Sequence, residues 1–90
     1  MTNLEVLKRF TEKRSGRTPQ RDIYEGYYVY NGRTLTTDGL TLINYNTVIA
    51  SWEKNTVLLN MKKYSRTTSK IQHQLKNILI DNGVNFIEMY

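Results

Sequence analysis

"KKYSRTTSK", residues 62–70, is where one periodicity stops and another starts. Upstream, residues 57–62 form a short apolar run after a polar turn, which suits a strand. Downstream, Ile71, Leu75, Ile78 and Leu79 fall within about 100° of one another on a helical wheel, which suits an amphipathic helix. The change of period forces a strand to end near Lys62 and a helix to begin by Thr68. Ser65 or Thr67 can cap that start, and Asn82-Gly83 is a suitable stop. The spacing therefore predicts a helix over 67–82.

Upstream of this switch the chain is β-type. "YNGR" at 30–33 and "TDGL" at 37–40 contain Asn-Gly and Asp-Gly, the pairs that best accept the positive φ angles of a tight hairpin turn. "WEKNT" at 52–56 is a softer polar turn. Strands are expected near 23–30, 33–37, 40–44, 47–52 and 57–62, with Tyr45-Asn46 as a tight turn or a bulge. Trp52 is expected in the core beside Val48 and Ala50. Before the strands, Leu4, Val6, Leu7 and Phe10 form one stripe of a helix over 3–14, capped by Thr2 or Asn3. "RSGRTPQR" at 14–21 breaks that period with the only proline, so 15–21 reads as a basic linker. After the second helix, "VNFIEMY" at 84–90 alternates as a short final strand or tail does. Together these predict one α+β domain over 1–90. A single antiparallel meander sheet of four to five strands over 22–62 would carry an N-terminal and a C-terminal helix packed on one face.

The balance of 13 basic against 8 acidic residues gives +5. A small basic domain points to a polyanionic partner, a nucleic acid above all. Without cysteines there is no disulfide and no thiolate metal site. No apolar run reaches the roughly 20 residues that span a bilayer, and the first residues lack the layout of a secretory signal. The expectation is a cytoplasmic protein without a membrane contact, a metal or a cofactor.

The candidate binding residues cluster around the opening stretch. Lys62, Lys63, Arg66 and Lys70 supply charge, Thr67 and Thr68 supply hydroxyls, and Tyr64 supplies an aromatic ring. His73 and Lys76 continue the polar face of the helix, which carries no acid until Asp81. A helix N-terminus with free N–H groups accepts an anion, although the same hydroxyls are also what a cap requires. Arg14, Arg17 and Arg21 would form a flexible basic arm. Alternation in a strand over 23–30 would align Tyr24, Tyr28 and Tyr30 as a stacking row, or as ordinary cross-strand packing. No residue set has catalytic spacing: the single histidine has no acid at i±3 or i±4. A long exposed sheet edge could pair two chains as a homodimer.

The stretch from Leu42 to Ile78 resembles a small domain of unknown function in phage and plasmid proteins. Its pattern is Tyr-x-Thr-x-Ile-Ala, a polar turn, a strand, then Lys-Tyr-Ser-x-Thr-Thr and a helix. The matching positions are Tyr45, Thr47, Ile49, Ala50, Lys63, Tyr64, Ser65, Thr67 and Thr68. The resemblance implies a phage or mobile-element source and no established chemistry. The order helix, three antiparallel strands, helix is also similar to that of double-stranded RNA-binding domains, which place lysines at the start of the last helix. Here extra strand material precedes the match and the last helix is not Ala-rich.

Three functions are consistent with these residues. The first is a non-enzymatic nucleic-acid-binding protein that uses the basic strand-to-helix segment. The second is a phage-encoded inhibitor that binds a host defence nucleoprotein such as a CRISPR effector. The third is a metal-independent ribonuclease toxin that uses Tyr64, Arg66 and Lys63 to stabilise charge on a phosphate.

Overall fold

The computed structural model describes residues 1–18 and 35–90, and between them the backbone of 23–24 and 27–28. Ten elements follow in order. Helix α1 is Asn3–Thr11. Strands are β1 (Ser15–Arg17), β2 (Ile23–Tyr24), β3 (Tyr27–Tyr28), β4 (Leu35–Asp38), β5 (Thr41–Asn44), β6 (Thr47–Glu53) and β7 (Thr56–Asn60). Helix α2 is Arg66–Asp81, and β8 is Asn85–Met89.

The α+β class holds, but the sheet is larger than expected and mixed. Six strands lie in the order β1-β4-β5-β6-β7-β8. Neighbours pair antiparallel except β7 and β8, which pair parallel over Thr56↔Asn85 to Asn60↔Met89. The physical reason is the connection. A hairpin reverses the chain, whereas the crossover through α2 returns it in the original direction. The expected linker also contributes a strand, since Ser15–Arg17 pairs with Thr36–Asp38.

The expected single strand over 23–30 is replaced by two short ones. β2 and β3 pair with each other, Ile23 with Tyr28 and Tyr24 with Tyr27. Tyr24 and Tyr28 therefore stand on different strands, so the alternation of one strand does not align that pair. Tyr30, Arg21 and the "YNGR" turn lie outside the described residues.

The other turns follow their local chemistry. At 38–41, Asp38 Oδ1 accepts from the N–H groups of Leu40 and Thr41. Gly39 takes φ +101° there, and a Cβ on it would lie 2.8 Å from the Lys13 carbonyl oxygen. Tyr45-Asn46 and Lys54-Asn55 form two-residue hairpin loops, with Tyr45 and Lys54 at φ +56°. Strand β6 also carries a bulge. Leu42 pairs with Ala50 and Ile43 with Val48, which leaves Ile49 extra. Ile49 and Ala50 then both face the core, and Val48 turns to solvent at 48% exposure. The expected grouping of Val48 with Trp52 and Ala50 fails because an extra residue inverts the alternation beyond it.

Both helices cover one sheet face. Val6, Leu7 and Phe10 of α1 and Ile71, Leu75 and Leu79 of α2 meet Leu35, Leu42, Ile49, Val57 and Leu59. Trp52 closes one end: its Nε1 donates to the Phe10 carbonyl at 2.8 Å, and the Lys13 ammonium lies 4.6 Å from its ring centre. No helix among the described residues lies on the opposite sheet face. There the registers align Thr36, Ile43 and Val48 in one row and Ser51, Leu58 and Ile87 in another.

Candidate functional site

Residues 61–65 connect β7 to α2, and uncharged polar groups hold them. Asn60 Oδ1 accepts from the Lys62 N–H at 3.0 Å. Its Nδ2 donates to the Val48 carbonyl at 2.9 Å and to Tyr64 Oη at 3.0 Å. From α2, the buried Gln72 donates through Nε2 to the carbonyls of Asn60 and Lys62, at 2.7 and 2.9 Å. Gln72 thus serves as a peg between helix and connection. Its type and position gave no sign of this in the sequence, because its two acceptors are main-chain groups.

Ser65 is the cap of α2, with its Oγ accepting from the Thr68 N–H at 3.2 Å. Thr68 is buried, and its hydroxyl donates to Asn44 Oδ1 of β5 at 2.7 Å while accepting from Ser65. Thr68 therefore fastens the helix start to the sheet, and its hydroxyl is already engaged. Lys62, Lys63, Tyr64, Arg66, Thr67 and Lys70 are exposed around this frame. None of the four cations in that group has an ion-pair partner among the described residues.

Lys76 stands apart from them. It forms an ion pair with Glu88 of β8, whose other carboxyl oxygen accepts from Tyr90 Oη at 2.7 Å. The Lys76 ammonium, then the Tyr90 hydroxyl, hold the Glu88 carboxyl below its usual range. Glu88 in turn raises Lys76. The helix face that looked free of acid in the sequence receives one from a strand in the tertiary fold. His73 is exposed on the same face and adds to the field at Glu88.

The expected basic arm is part of the fold where it is described. Arg14 follows the end of α1, donates its N–H to the Arg9 carbonyl at 2.7 Å, and lies 3.7 Å from Glu12. Arg17 is exposed on the edge strand β1. Beside the 62–65 connection, the bare sheet face holds an open groove of about 350 Å³ lined by Val48, Ser51, Leu58, Asn60, Lys62, Met89 and Tyr90. Tyr64 and Tyr90 are 45% and 79% exposed.

Among the described residues, no group of three or more His, Asp or Glu side chains is placed to hold a metal. No helix among them is long and apolar enough to cross a membrane.

The electrostatics of the two helix starts differ. In α1, Glu5 lies in the first turn and completes a capping box with Thr2, while Lys8 and Arg9 lie in the last turn. That order suits the helix dipole, whose N-terminal end is positive. In α2 the order is reversed. Arg66 is the first helical residue, Lys70 follows one turn later, no acid lies in the first turn, and no base lies in the last. Comparisons of the chain with protein-family models, with curated proteins and with solved structures find no match.

Proposed function

We propose that this protein binds nucleic acid without turning it over, through Lys62, Lys63, Tyr64, Arg66, Thr67 and Lys70. The observation that carries this reading is the reversed charge order of α2. Cations at the positive end of a helix weaken it, by about 0.3–1 kcal/mol each at low ionic strength. The Ser65 cap does not need them, because Ser65 and Thr68 are neutral. Lys62 and Lys63 on a connection held by neutral groups, and Arg66 and Lys70 at the start of α2, pair with no acid among the described residues and are not explained by folding. They are explained by an anionic ligand that approaches the exposed N–H groups and the side-chain charges together.

The bare sheet face beside them extends the reading to bases. Tyr64 and Tyr90 offer exposed rings, and the groove beside Lys62 is largely apolar. A base stacked on an aromatic ring contributes roughly 1–3 kcal/mol. The phage or mobile-element source that the Lys-Tyr-Ser-x-Thr-Thr stretch suggests belongs to this proposal. So does a working site inside a bacterial host cell.

The exposed apolar residues Val48 and Met89 beside the basic segment favour a second reading. Here the protein inhibits a host defence nucleoprotein, such as a CRISPR effector, by docking on its surface. Capture from nuclease-treated host lysate separates the two. Loss of every partner supports direct nucleic-acid binding, while a stoichiometric protein that survives nuclease supports docking. For direct binding, four phosphate contacts predict that log K falls against log salt with a slope of about −2.8 to −3.6. Binding that is absent at low salt, or insensitive to salt, counts against it.

A further inference from the structure

We infer that this protein forms a two-fold homodimer by antiparallel pairing of β8 with β8 of a second copy. Among the described strands, β8 is the last in its sheet, with β7 on one side and none on the other. Its free edge presents main-chain donors and acceptors to water, a template on which a second extended chain can pair.

The two sheet edges differ in how they are protected. Strand β1 has three residues and carries an exposed arginine, Arg17, with Arg14 just before it. Short length and positive charge are the usual means of blocking an edge. Strand β8 has five residues, with no lysine, arginine or proline. Two large apolar side chains of the strand itself are left in solvent: Ile87 at 55% and Met89 at 50% exposure.

A second copy fits this edge better than an arbitrary strand, for reasons of charge and register. The whole chain carries +5, which opposes self-association. At β8 the charge is cancelled locally, because the only ionisable group in the strand, Glu88, is paired with Lys76 of its own chain. A two-fold axis through Ile87 sets Ile87 against its own copy, Phe86 against Glu88 and Asn85 against Met89. No like charges face each other directly in that register. The result is one sheet of twelve strands, with both helical layers on the same side. Because the strands run in opposite directions, the two basic 62–70 segments lie at opposite ends of the dimer.

The test is the mass of nucleic-acid-free protein by light scattering and sedimentation, from about 10 µM to about 1 mM, the range of small, weak interfaces. The expected result is a weight-average mass that rises from 10.6 kDa toward twice that value. Ile87→Lys should remain monomeric throughout, with an unchanged circular dichroism spectrum. Met89→Lys, at the strand end, repeats the test where Ile87→Lys does not fold. Hydrogen exchange of β8 amides should slow at least about tenfold at high concentration and not in the folded variant. A monomer at every concentration overturns the inference. So does a dimer that survives both lysine substitutions, since it would use another surface.

Discussion

Thr68 shows how one side chain can look like part of a binding site and serve the fold. Its hydroxyl lies among Ser65, Thr67 and Ser69, in the stretch with the most cations, so the sequence groups it with ligand-binding groups. The fold turns it inward to Asn44 and Ser65. Thr67, its neighbour, stays exposed. Thr68→Val keeps the shape and removes a buried hydroxyl that makes two hydrogen bonds, which costs about 1–3 kcal/mol. Thermal denaturation should show the loss, while nucleic-acid affinity of the folded protein stays within about twofold. A large drop in affinity without a drop in stability would return Thr68 to the interface. Gly39 is decided by the main chain instead. At φ +101°, with the Lys13 carbonyl oxygen 2.8 Å from where a Cβ would stand, Gly39→Ala should destabilise by about 2 kcal/mol or more. That corresponds to a fall in Tm of about 8 °C or more. An unchanged Tm would mean that the turn rearranges freely.

At the scale of elements, local chemistry was legible and long-range pairing was not. Asp38-Gly39 marked its turn because the carboxylate and the glycine act within three residues. Ser65 and Asn82-Gly83 marked the ends of α2 for the same reason: Gly83 at φ +66° donates to Ile80, and Val84 donates to Leu79. The bulge at Ile49 was hidden, because Val48, Ile49 and Ala50 are all apolar and any of the three could face inward. The parallel position of β8 was hidden too, since alternation reports a strand and not its neighbour. Among candidate site residues, the exposed Lys62, Lys63, Tyr64 and Arg66 were legible as a cluster. The roles of Gln72 and Lys76 depend on Asn60, the Lys62 carbonyl and Glu88, which the fold brings from other elements. The dipole order of α2 was written in the sequence as well. It gains meaning beside α1, where the same rule is obeyed.

At the scale of the whole molecule, three carboxylates among the described residues lie below their usual range, in different parts of the fold. Glu5 is lowered by the capping box with Thr2. Asp38 is lowered by the N–H groups of Leu40 and Thr41. Glu88 is lowered by Lys76 and then Tyr90. A carboxyl lowered on folding stabilises above its unfolded pKa, and that contribution is lost as pH falls through the folded value. Stability should therefore decline below about pH 4.5, and the decline should be shallower in Glu88→Gln and in Asp38→Asn. Lys76 is raised, so its share persists through neutral pH and is lost only in strong alkali. Urea midpoints measured across pH check both arms; an acid limb that is identical in the wild type and both variants would contradict them.

The central claim is that the cations around the start of α2 serve an anionic ligand and not the fold. The double substitution Arg66→Glu/Lys70→Glu tests it in one protein. An acid at position 66 lies in the first turn and suits the helix dipole, so at low salt Tm should rise by about 2–8 °C. In the same sample, affinity for an oligonucleotide should fall at least about tenfold, and the slope of log K against log salt should become shallower by about 1.4–1.8. A variant that melts lower than the wild type and binds the oligonucleotide equally well would contradict the claim.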